Sequence, residues 1–207
     1  MKKTLIPKLI FSYVLFVVLG FIILCTFTQH AITHYAENRE AQQLYRESVQ
    51  IASGYADNYN KYSFSLQDFQ KQMQSLGEYL SAQIWIMDNQ GNILFDSTDE
   101  SVGKNAANAN YKTLKGFNTS DFGNRYYMTG NFYGSFSEKK LTVFSPITSN
   151  YRIHSYVMIH KTVSSITQNA NGFMNIVFYT IEFVFLTALF LLLLFAHGFY
   201  RPLHRLT

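Results

Sequence analysis

The chain holds a single cysteine in 207 residues. Cys25 sits in an apolar run with no second thiol, so no intrachain disulfide staples the fold and no CxxC pair offers redox or metal chemistry. GxSxG and P-loop sequences are also missing, and the acids are scattered rather than paired by spacing, so no catalytic constellation stands out. There is no internal repeat and no low-complexity segment. The most informative shortage is of charge. None occurs from Ile10 through Thr28, and Glu182 is the only charged residue between Lys161 and Arg201.

Each charge-poor run is long enough to cross roughly 30 Å of hydrocarbon as a helix. The first, residues 9–29, reads as a retained anchor rather than a cleaved signal peptide, because Gln29-His30-Ala31 is a poor cleavage site. The second covers residues 174–196. The formal charge of +4 does not indicate a nucleic-acid face: residues 30–173 carry twelve basic and twelve acidic side chains, and the excess lies at the two ends. Basic ends stay cytoplasmic, so residues 1–8 and 197–207 are expected inside and residues 30–173 outside a cell membrane.

The outer region is organised around residues 83–97, QIWIMDNQGNILFDS. Two β-prone runs flank Asp88-Asn89-Gln90-Gly91, which predicts a hairpin with Gly91 left-handed. Ile84 and Ile86 alternate with Trp85 and Met87, as expected of a strand buried on both faces. Residues 30–60 predict a helix continuing the first span. Ser65 is expected to open a second helix, whose stripe is Leu66, Phe69, Met73, Leu76 and Leu80. Residues 98–124 read as loop with at most one helical turn. Further strands are predicted at 126–136, 141–148 and 152–161, giving an α+β domain with a five-stranded antiparallel sheet. On the last strand Ile153, Val157 and Ile159 are expected to face the helices, and Arg152, His154, Tyr156, Met158 and His160 the other way.

This order of parts, with the IWIMDNQGNILFDS stretch and with Pro202, Leu203 and Leu206 after the second span, resembles the input half of membrane-bound bacterial sensor histidine kinases. The resemblance implies a PAS-like outer domain of the PDC or Cache form, a HAMP linker opening near Pro202, and a ligand pocket over the sheet face away from the helices. Trp85, Arg125, Tyr127, Tyr133 and Tyr156 are the aromatic and cationic residues available to line it, against the alternative of plain packing or exposure. Neither a phosphoacceptor-histidine helix nor a nucleotide box is found in residues 1–207, so any kinase activity is expected beyond them.

Glu182 is read about six residues, roughly 9 Å, from the outer end of its span. There it either holds a helix–helix register that shifts on signalling or sits protonated near the interface. His30 and His34, with Glu37 a turn on, share a helix face, but two or three ligands are too few and no metal or other cofactor is expected. His154 and His160 are about 20 Å apart along a strand and cannot share an ion. The expected function is a transmembrane receptor, a homodimer in the bilayer that answers an extracellular small molecule or protein. The alternatives are the input region of a chemoreceptor or cyclase, or a two-pass envelope protein that binds another protein without signalling.

Overall fold

A computed structural model describes residues 5–60, 66–99, 112–122 and 125–203. In chain order the elements are α1 (Leu5–Asn60), α2 (Leu66–Leu80), β1 (Gln83–Asp88), β2 (Ile93–Asp96), a 3-10 turn at Thr119–Phe122, β3 (Tyr127–Gly130), β4 (Lys140–Ser149), β5 (Arg152–Thr162) and α3 (Val163–Leu203). The chain divides into two compact units, Ala36–Thr167 and the paired segments Met1–Tyr35 and Gln168–Thr207.

The first unit is α+β, with an antiparallel sheet in the order β2-β1-β5-β4-β3. The β1–β2 turn forms because Asp88 supplies the hydrogen bonds that the backbone lacks there. Its Oδ1 accepts from the amides of Gln90 (2.8 Å) and Asn92 (2.9 Å), while Oδ2 accepts from Asn92 Nδ2 (2.7 Å). Gly91 closes the turn at φ +86°, as its lack of Cβ predicts.

Strand β1 is buried on both faces, and its alternate residues enter two separate cores. Ile84 and Ile86 join Leu141, Val143, Val157 and Ile159 beneath Ala41, Leu44 and Ala52 of α1 and Phe69, Met73 and Leu80 of α2. Trp85 and Met87 join Ile93, Leu114, Phe132 and Met158 on the other side. The α2 stripe thus covers the sheet as its period requires, with Phe69 edge-on to both Tyr55 and Phe95. Lys161 of β5 pairs with Glu40 of α1 at 2.6 Å, tying the central strand to the long helix. The proposed cap, Ser65, lies outside the described residues.

Two strand expectations need correction. The segment predicted as strand at 126–136 ends at Gly130. Phe132, Tyr133 and Gly134 turn left-handed, at φ 42°, 52° and 73°, which breaks the ladder. On β5 the alternation fails at its start. Ile147 pairs with Ser155 but Thr148 pairs with Ile153, so His154 is skipped by the ladder. That bulge re-aims the side chains before it, and Ile153, expected in the core, is 44% exposed.

The second unit contains two stretches long and apolar enough to cross a membrane. One begins at Ile10 in α1, and the other is Gly172–Leu194 of α3, with mean hydropathies of 2.7 and 2.4. The Tyr13 hydroxyl donates to the Phe185 carbonyl at 2.9 Å, and Gly20 lies against the Phe185 ring. Because the α3 stretch begins at Gly172, Glu182 is ten residues, about 15 Å, from its start. Pro202 stands in the last described turn of α3, and no separate helix opens there among the described residues.

Candidate functional site

The sheet face away from the helices carries a group of chemistry-bearing side chains packed together. Period-two alternation sends Trp85 out from β1 and Met158 and His160 from β5. The antiparallel register sets Trp85 opposite Met158 and His160 opposite Gln83. The left-handed turn after β3 then folds Phe132 and Phe136 over them. Ring centroids lie 4.4 Å apart for Trp85 and His160, 4.8 Å for Phe132 and His160, and 4.9 Å for Phe136 and His160. The imidazole is thus boxed by three aromatic rings, and both His160 and Trp85 are buried.

His160 Nδ1 is 2.8 Å from the Thr142 hydroxyl, its neighbour across the β4–β5 ladder. Burial among apolar rings drives its pKa down to about 3, and the nearby Lys140 ammonium adds to the effect. The ring is therefore neutral at physiological pH. His160 Nε2 and Trp85 Nε1 are both buried and make no hydrogen bond among the described residues. Two ammonium groups edge the cluster, Lys112 Nζ 5.9 Å from the Trp85 ring and Lys140 Nζ 5.2 Å from the Phe136 ring. Lys140 also donates to Thr162 Oγ1 at 2.7 Å.

Of the residues singled out in the sequence, Trp85, Tyr133 and Tyr156 belong to this cluster or pack against it. The Tyr133 hydroxyl donates to Asp121 Oδ2 at 2.7 Å, and burial together with that bond raises its pKa above the ordinary tyrosine value. Tyr127 lies on the opposite face, where its hydroxyl donates to Asn38 Oδ1 of α1. Arg125 is exposed just before β3. Among the described residues, no group of three or more His, Cys, Asp or Glu is placed to hold a metal ion.

Sequence reasoning put His160 on this face but weighed it only as a metal ligand, and it did not single out Phe132 or Phe136. For the histidine the alternation of Tyr156, Met158 and His160 on one face was the signal, since it continues a largely apolar row. For the two phenylalanines there was none, since a strand reading of 126–136 hides the turn that brings them in. No protein-family model matches the chain, and no curated protein matches it.

Proposed function

We propose that the chain is the receptor part of a membrane-bound signalling protein, of the kind its sequence resembles, the input half of a sensor histidine kinase. The observation that supports this reading is how the sheet connects to the apolar stretches. Helix α1 is one unbroken element of 56 residues that holds both the first apolar stretch and the residues packed on the sheet. At the other end, β5 finishes at Thr162 and α3 starts at Val163 with no loop between them. The Val163 amide donates to the Lys139 carbonyl, anchoring the start of α3 to the sheet domain. A shift in β5 then has a stiff, covalent route into α3, because a helix moves as a body where a loop would absorb the displacement.

In this reading the basic ends are cytoplasmic, residues 30–173 form a PAS-like outer domain, and the chain is a homodimer in the bilayer. Glu182 supports the last point, since a mid-span carboxyl group is costly against lipid and is relieved by packing with a second pair of helices. Pro202 falls where a HAMP-like linker would take over.

The test is a chimera of residues 1–207 on a reporter kinase core, with one to four alanines inserted after Leu189 of α3. Output that rises and falls as the helix phase turns, at about 100° per residue, supports transmission through α3. Output indifferent to every insertion overturns it.

A further inference from the structure

The β-sheet ladder is irregular at two places, and both irregular residues face the same cavity. In the β1–β2 ladder Ile86 pairs with Phe95 and Met87 with Ile93, so Leu94 is skipped. In the β4–β5 ladder His154 is skipped in the same way. Leu94 and His154 both line a cavity of about 260 Å³ on the helix side of the sheet, together with Tyr55, Ala56, Ile147, Ser149 and Ser155. A bulge costs ladder hydrogen bonds, and bulges recur where a strand must re-aim a side chain beside a site. Two of them converging on one space is the arrangement of a built pocket.

The lining gives the chemistry of the occupant. Among the described residues that line it there is no acid, lysine or arginine, so a charged ligand would lose its hydration to them without a counter-charge. Tyr55, Ala56, Leu94 and Ile147 supply apolar wall. Ser155 is only 5% exposed, and it brings a hydroxyl to the wall. His154 Nε2 lies 3.2 Å from the Ser149 carbonyl, which can only accept, so Nε2 donates to it; in that tautomer Nδ1 is the acceptor of the ring. An apolar cavity of about 150 Å³ already takes benzene; this one has room for a substituted ring or a fused pair of rings.

We propose that this cavity is a binding site for a neutral aromatic molecule with one hydrogen-bond donor, of the phenol or indole class. It is separate from the Trp85–His160 cluster on the other face. Its occupant touches α1 through Tyr55 and Ala56, and β2, β4 and β5 through Leu94, Ile147 and Ser155. Binding itself does not depend on the receptor reading.

The experiment is ¹⁹F NMR titration of 4-fluorophenol and 5-fluoroindole against the full chain in nanodiscs, with empty nanodiscs subtracted. Saturable 1:1 binding is expected, with Kd on the order of 0.1–1 mM for ligands this small. Fluorobenzoate, which is charged, should bind at least tenfold more weakly. Ala56→Phe and Ser149→Phe, which narrow the cavity from α1 and from β4, should each weaken phenol binding at least tenfold while leaving the circular dichroism unchanged. No saturable binding, or binding that folded Ala56→Phe and Ser149→Phe variants both retain, overturns the site. Benzoate binding as tightly as phenol overturns the ligand class. None of these outcomes touches signalling, which the α3 insertions test separately.

Discussion

His160 is a titratable group enclosed by Trp85, Phe132 and Phe136, with a lysine close by. Its pKa falls from 6.5 to about 3 on folding. As pH drops below 6.5 the unfolded chain therefore takes up a proton that the folded chain refuses. Its contribution to stability is complete above pH 6.5 and is lost progressively as pH falls toward 3. Between pH 7 and pH 5 this amounts to about 2 kcal/mol. Urea unfolding of the wild type at the two pH values should show that loss, and His160→Phe should remove most of it; an equal loss in the variant would assign the acid sensitivity elsewhere. Gly91 makes a different single-residue demand. A Cβ there would enter a left-handed conformation and come within 3.1 Å of the Phe117 Cβ and 3.3 Å of the Leu114 carbonyl. Gly91→Ala is expected to destabilise the domain by about 2 kcal/mol, from the φ penalty and the crowding together, read as a lowered denaturant midpoint with unchanged slope.

Helix α2 is short and has one apolar face, so it is held by what that face buries. Phe69 is 7% exposed and bridges Tyr55 of α1 to Phe95 of β2. Phe69→Ala should cost about 3–4 kcal/mol through lost transfer energy and the cavity left behind. Hydrogen exchange should show α2 amides losing protection first. The α2 stripe and the two-faced β1 were legible in the amino-acid order, because 3.6- and 2-residue periods are imposed by backbone geometry alone. The end of β3 was not. Its residues are strand-compatible as far as Phe136, and the left-handed turn at Phe132 and Tyr133 is worth its strain only because it seats Phe132 in a core that distant strands create. The bulges at Leu94 and His154 were invisible for a related reason, since a skipped residue is defined by its partner strand.

At the scale of the whole molecule, the proposed topology predicts labelling. In a Cys25→Ala background, a cysteine at Asn150 in the β4–β5 turn should react with a membrane-impermeant maleimide on intact cells. One at Lys2 should react only after permeabilisation. The reverse pattern would invert the receptor. Local composition and period were enough to specify two apolar stretches, a balanced domain between them, the Asp88–Gly91 hairpin, and the faces of α2 and β1. Long-range packing settled which strands neighbour one another, that His160 is boxed by Trp85 of β1 and by Phe132 and Phe136 from the turn after β3, and that two skipped residues on different strands share one cavity. These depend on contacts between distant segments, and a chain pattern specifies each segment's faces without specifying what those faces will meet.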